Sequence, residues 1–135
     1  LERRTNATVP KEDAEQIIIF EWANWNMNKH PELALLYAIP NGGKRSIKTA
    51  RMLKATGVKA GVPDMCLPVP RYPYHGLYIE LKRRKGGRVS EKQSEWLQVL
   101  MKEGYKTCVC YGSDEAIKVI EDYLKGEQWT FFNAL

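Results

Sequence analysis

Apolar residues change their period repeatedly along this chain, and that alternation limits the fold more than any single motif does. From Pro10, the acidic Glu12, Asp13 and Glu15 read as the first turns of a helix that Ala14, Ile18, Trp22 and Trp25 carry to about Lys29. His30-Pro31 ends it. Leu35 to Ile39 reads as a short buried strand, and Pro40-Asn41-Gly42-Gly43 as a turn. Helical spacing returns from Ser46 to Ala55 through Ile47, Ala50, Met52 and Leu53, with Gly57 as its stop. Pro63 to Val69 and Leu77 to Leu81 read as strands, joined by a loop holding Pro68, Pro70 and Pro73. Ser90-Glu91-Lys92-Gln93 is a capping box; the helix it opens sets Trp96, Leu97, Leu100 and Met101 inward and stops at Gly104. Tyr105 to Tyr111 is the next strand, and Ser113 caps a last helix through Ile117, Ile120 and Leu124 to Gly126. This order predicts an α/β fold, a mixed sheet of about four strands flanked by helices.

No repeat, low-complexity linker or internal boundary interrupts the 135 residues, so 1–135 is expected to be one domain, with a core at about 11–125 and an apolar tail at 126–135. The tail sets Trp129, Phe131, Phe132 and Leu135 beyond the last helix, a patch expected to pack on its own domain or on a partner. Trp22, Trp25 and Trp96 are expected in the core rather than as base-stacking platforms. The longest uninterrupted apolar run, Leu33 to Ile39, has seven residues, against the roughly 20 that cross a bilayer as a helix. With no signal-peptide pattern at its start, the chain is expected to be soluble and intracellular, in the cytoplasm, with no membrane partner. Cys66, Cys108 and Cys110 form no CxxC pair and have only His30 and His75 for company, which argues for buried thiols and against zinc.

Charge is unevenly placed. From Lys44 to Lys59 there are six cations (Lys44, Arg45, Lys48, Arg51, Lys54, Lys59) and no acid. From Lys82 to Lys92 there are six more (Lys82, Arg83, Arg84, Lys85, Arg88, Lys92) against Glu91 alone. The two windows carry +11 in a chain whose net charge is +5, leaving −6 for the remainder. Cations gathered in this way are the footprint of a protein that meets phosphates, although such runs also occur as solvated faces. The Asn41-Gly42-Gly43 turn sits beside the first window; its glycines allow backbone N–H groups near a phosphate, or make a turn and nothing more.

Asp64 opens one strand, and Glu80-Leu81-Lys82 ends the next, sixteen residues on. Strand alternation sends Glu80 and Lys82 to one face and Leu81 to the other. If the strands pair as a hairpin, Asp64 lies opposite Glu80, and two carboxylates meet an ammonium. Such carboxylates repel unless a cation sits between them, and a hard ion such as Mg²⁺ or Mn²⁺, which wants oxygen ligands, fits. The Leu81 carbonyl can supply another oxygen, and Lys82 can orient a water or stabilise charge on a transferring phosphoryl group. The triple is the only [DE]-x-K in the chain, but alone it equally describes an ion pair at a sheet edge. Its weight comes from Pro63-Asp64 before it, a capped helix after it and cations on both flanks.

This order of elements, with Pro63-Asp64 and Glu80-x-Lys82 on its strands, resembles the PD-(D/E)xK nuclease core. Within that superfamily, Pro40-Asn41-Gly42-Gly43, Gly61-Val62-Pro63-Asp64, Ile79-Glu80-Leu81-Lys82 and Gln93 resemble the VRR-NUC (virus-type replication-repair nuclease) family over about Ala14 to Leu124. The resemblance implies metal-dependent cleavage of DNA phosphodiester bonds, often at branched structures. Compact phage and bacterial members act as dimers on four-way junctions, which implies a homodimer in a phage or bacterial host. By the same resemblance Asp64, Glu80 and the Leu81 carbonyl would hold Mg²⁺ or Mn²⁺, Lys82 would be the catalytic lysine and Gln93 a polar residue near the site. An acid of the first helix, best matched by Glu15, would complete the shell, with Glu12 and Asp13 as competitors. Glu15 shares the helical arc of Ile18, Ile19 and Trp22, so it faces inward, unless it serves only the helix dipole. DNA contacts are expected from Asn41, Gly42, Lys44, Arg45, Lys48, Arg51, Arg83, Arg84, Lys85 and Arg88.

Two other readings stay open. One is a restriction-like or flap nuclease of the same superfamily, although 135 residues leave little surface for reading bases in a groove. The other is a non-catalytic nucleic-acid-binding module, which would gain nothing from acids in a phosphate-facing cleft.

Overall fold

The structure, a computed structural model, describes residues 8–40 and 46–128. The turn at Asn41, Gly42 and Gly43, the cations Lys44 and Arg45, and the tail from Trp129 lie outside the described residues. Helix α1 (Glu12–Trp25) leads through a 3-10 turn (Pro31–Leu35) to strand β1 (Tyr37–Ala38). Then follow α2 (Ile47–Ala55), β2 (Met65–Leu67), β3 (Leu77–Lys82), α3 (Glu91–Lys102), β4 (Lys106–Tyr111) and α4 (Ser113–Leu124). The strands form one mixed sheet in the order β1-β2-β3-β4. The first three run antiparallel, Met65 pairing with Ile79 and Leu67 with Leu77. After the α3 crossover, β4 lies parallel to β3, Leu77 opposite Lys106 and Lys82 opposite Tyr111.

Leu77, Ile79 and Leu81 of β3 join Met65 and Leu67 of β2 in one apolar cluster with Ile19 and Ala23 of α1 and Ala116, Ile120 and Leu124 of α4. β3 has a strand on each side, and five of its six residues are buried, so it is the centre of the molecule. Cys66 and Cys110 are buried and Cys108 half-buried, all three free; burial pushes the Cys110 thiol up to about 12, which makes it inert.

Several sequence expectations need correction. Leu35–Ile39 is not a five-residue strand: Pro31 starts a 3-10 turn that buries Leu33, and only Tyr37 and Ala38 pair with β2. The strand expected over Pro63–Val69 shortens to Met65–Leu67, because prolines at 63 and 68 have no N–H to give a ladder. The first helix ends at Trp25, where the Asn26 side chain donates to the Trp22 carbonyl at 2.8 Å. Its buried positions are Glu15, Ile19 and Ala23, a strict i, i+4, i+8 stripe, so Ile18 is exposed and Trp25 is 86% exposed rather than core. Met101 of α3 is also exposed, while Trp96 is half-buried, its indole N–H donating to the Ala60 carbonyl. Ser113 is the first residue of α4 rather than its cap, which is Gly112.

Candidate active site

Met65 pairs with Ile79, so one step along the antiparallel ladder Asp64 stands against Glu80. Leu81 turns into the core at 1% exposure, while Glu80 and Lys82 share the opposite face. The Leu81 N–H donates to Asp64 Oδ2 at 2.7 Å. Lys82 Nζ lies 3.5 Å from Glu80 Oε1, and both side chains are almost wholly buried. Gln93 Nε2 donates to the same Glu80 oxygen at 3.0 Å while Gln93 Oε1 accepts from the Ser90 N–H at 2.8 Å. The capping box at the start of α3 thus also orients the acid of β3.

The electrostatics of this group are unresolved by the protein alone. Glu80 Oε2 is buried with no hydrogen-bond partner. Burial first, and the Asp64 charge second, push the Glu80 carboxyl up to about 8. Burial also raises Asp64, against the Leu81 N–H, which lowers it. Among the described residues no group of three His, Cys, Asp or Glu side chains is gathered to hold a metal ion. Two carboxylates with an unpartnered oxygen suit a hard divalent ion that keeps waters and takes further oxygens from its substrate, as Mg²⁺ does.

Glu15 is held elsewhere. Arg84 Nε donates to its Oε1 at 2.9 Å and Arg84 Nη2 to its Oε2 at 3.4 Å, and the Ser113 N–H donates to Oε2 as well. The Arg84 guanidinium, helped by the Ser113 amide, holds this carboxyl below the usual carboxylate range although burial works against it. The cap that Ser113 was expected to provide for α4 therefore comes from α1, a carboxylate at the positive end of the helix dipole. Gly112 makes room for it: at φ +91°, a Cβ there would sit 2.8 Å from Arg84 Cγ and 3.2 Å from Glu15 Oε2. None of these Glu15 hydrogen bonds goes to Asp64 or Glu80, and Asp13 of α1 adds the smallest of the effects that shift Asp64. Arg84, grouped by sequence with the DNA-facing cations, spends its guanidinium on Glu15, Ser113 and Asp114. Arg83, Lys85 and Arg88 are exposed on the loop between β3 and α3, and Lys48 and Arg51 are exposed on α2.

Compared with known families, residues 2–114 match the VRR-NUC domain. The chain belongs to this family. A solved structure described as "VRR_NUC domain protein" is 31% identical, superposes with a TM-score of 0.79, and the match covers 95% of this chain and 99% of that one. No curated protein matches. As a VRR-NUC domain the chain is a nuclease of the PD-(D/E)xK type with DNA as its substrate, a type that usually uses divalent metals. No helix among the described residues of this VRR-NUC domain is long and apolar enough to cross a membrane. Sequence reading of the VRR-NUC pattern missed Gly112, Ser113 and Asp114, which close the Glu15–Arg84 network. The signal available for them was Glu15 itself, an acid on an inward arc that had to find a partner.

Proposed function

We propose that this VRR-NUC domain hydrolyses phosphodiester bonds in branched DNA, four-way junctions above all, with Mg²⁺ or Mn²⁺ as cofactor and a two-fold homodimer as the active form. The observation that carries the reading is the Asp64–Glu80 pair beside Lys82, Glu80 buried and Asp64 half-buried, with Glu80 Oε2 unpartnered. Asp64, Glu80 and the Leu81 carbonyl are the residues that would hold the ion; of the α1 acids, Glu15 is bonded to Arg84 and Ser113, and Asp13 adds only a small charge effect on Asp64. The ion, when bound, supplies the Lewis acidity that polarises the phosphodiester and lowers the pKa of a coordinated water. Gln93 fixes one Glu80 oxygen and leaves the other to face the site. Lys82, with a side chain only 8% exposed, sets a cation 3.5 Å from Glu80 where a water can be oriented and charge on the phosphoryl oxygens offset.

A junction needs two cuts on opposing strands, and a two-fold pair of sites supplies them. Incubation of the chain with a four-way junction and a linear duplex, after chelation and again with Mn²⁺ restored, tests the whole reading. Cleavage that favours the junction, disappears with chelator and returns with Mn²⁺ is expected, from a protein whose light-scattering mass is twice 15.5 kDa. Cleavage at full rate after chelation would overturn the metal chemistry, and a monomer that cuts flaps and spares junctions would overturn the assembly.

Lys48 and Arg51 lie exposed on α2 in the window that holds no acid. Each phosphate that a cation neutralises adds about 0.9 to the slope of log affinity against log salt on duplex DNA. Replacing both by Ala should flatten that slope by about 2 and weaken binding alike for all sequences. An unchanged slope would make this side of α2 a solvated face.

A further inference from the structure

α2 is the one helix among the described residues that buries none of its own residues. Only Leu53, with Val58 just beyond the helix, is half-buried toward the body. The outward face sets Ile47, Lys48, Arg51, Met52 and Ala55 along one shallow groove. Ile47 is 73% and Met52 60% exposed. Nine residues are too few to hold a helix in water by themselves, and the Ser46 cap, which accepts from the Thr49 N–H, offsets only part of that deficit. Whatever covers this face must take two apolar side chains and, between them, two cations. No acid occurs from Asn41 to Pro63 to neutralise those cations from within.

The position of the helix matters as much as its chemistry. The loop that follows it is fastened to α3: Trp96 Nε1 donates to the Ala60 carbonyl at 3.2 Å, and Gly61 lies so close to Lys92 that a Cβ would meet its backbone at 2.9 Å. Lys92 precedes Gln93, which holds Glu80. The loop that leaves α2 therefore runs beside the first turn of α3, which holds Gln93 against Glu80.

We propose that the Ile47–Met52 face of α2 is a wedge for unstacked bases at a DNA branch point, resting on the nuclease reading above. DNA is a polyanion whose interior surfaces are apolar, so it accepts Lys48 and Arg51 at its phosphates and Ile47 and Met52 against exposed base faces at once. Apolar side chains of this kind enter between base steps where stacking is already weak, and a branch point offers such steps without the cost of opening a continuous duplex. Cations alone would bind branched and unbranched DNA in proportion to phosphate density; the apolar pair gives preference for the branch.

The test compares a four-way junction carrying 2-aminopurine at its branch point with an unbranched duplex carrying the same base, in Ca²⁺ without Mg²⁺ or Mn²⁺. Wild-type protein is expected to raise 2-aminopurine fluorescence on the junction. Ile47→Gln with Met52→Gln, a change that keeps helix propensity, should lose about tenfold in junction affinity, much less on duplex, and lose the fluorescence rise. Its salt slope should match the wild type, unlike the Lys48 and Arg51 variant. Ile47→Leu with Met52→Leu should restore both readouts. Equal losses on the two DNAs, no loss on the junction, or a wild-type dimer that the double substitution to Gln splits into monomers would each overturn the wedge, the last by showing that a second copy covers this face. Wild-type protein that binds neither DNA overturns wedge and nuclease reading together; junction binding with the wedge signature but no cleavage in Mn²⁺ overturns the nuclease reading alone.

Discussion

Glu80→Gln or Asp64→Asn is expected to reduce DNA cleavage by roughly 1,000-fold or more, beyond the 10²–10³ that removal of a single stabilising donor costs in other enzymes. Each change takes a charged oxygen donor from a site that has only two carboxylates, so orientation and charge are lost together. The fold should survive. Glu80 is buried against Asp64 with one oxygen unpartnered, and Lys82 and Gln93 on its other oxygen offset only part of the cost, since burial and the Asp64 charge still push the carboxyl up. The Glu80→Gln protein should therefore melt no lower than the metal-free wild type, and added Mn²⁺ should raise the melting temperature of the wild type but not of this variant. Lys82→Ala separates the roles: it should keep the Mn²⁺-dependent melting shift and still lose about 10²-fold or more in rate. Single-turnover cleavage and thermal melting with and without Mn²⁺ check all three variants. A Glu80→Gln protein that cuts at wild-type rate would remove Glu80 from the chemistry.

The opposite pattern is expected at Glu15. Glu15→Gln should cost stability, about 2 kcal/mol, because a charged acceptor of two guanidinium hydrogen bonds and the Ser113 amide becomes a neutral one. It should leave the folded protein cleaving DNA within about tenfold of wild type, since Glu15 is bonded to Arg84 and not to the Asp64–Glu80 pair. Arg84→Ala should be worse for stability than Glu15→Gln, because it leaves a carboxylate that is 1% exposed without its partner. The pH dependence has a definite sign. The folded Glu15 carboxyl is depressed, so its contribution is complete above the ordinary carboxylate range and is lost as pH falls through the folded value. Wild type and Glu15→Gln should differ fully at neutral pH and converge in acid. Denaturant melts across that range test it; a variant equally stable at neutral pH, or one that folds normally and fails to cut, would return Glu15 to the metal shell.

Sequence carried the site further than it carried the edges of the fold. Asp64, Glu80 and Lys82 were legible because strand alternation and a hairpin fix their relative places once the strands are recognised, and the observed register of Met65 with Ile79 follows that geometry. Ser90 and Gln93 were legible as a capping box, a local pattern that depends on four consecutive residues. Glu15 was legible as inward-facing but not in what it faced, because Arg84 and Ser113 are 69 and 98 positions away in sequence. Leu35–Ile39 misled because an apolar run fits a 3-10 turn and a strand alike, and Pro31 decided between them. Trp25 misled for another reason: helical period does not say which of two apolar stripes goes inward, and Ile19 and Ala23 took that place.

The contrast between β3 and α2 divides the molecule by how readily its parts open. β3 lies between two strands with Leu77, Ile79 and Leu81 at the centre of the core, so its amides are released to solvent only when the whole domain unfolds. α2 has no buried residue and can open without disturbing the sheet. Glu80 is thus mounted on the strand expected to exchange most slowly, with Asp64 tied to it through the Leu81 amide, while the basic, apolar α2 is free to open on its own.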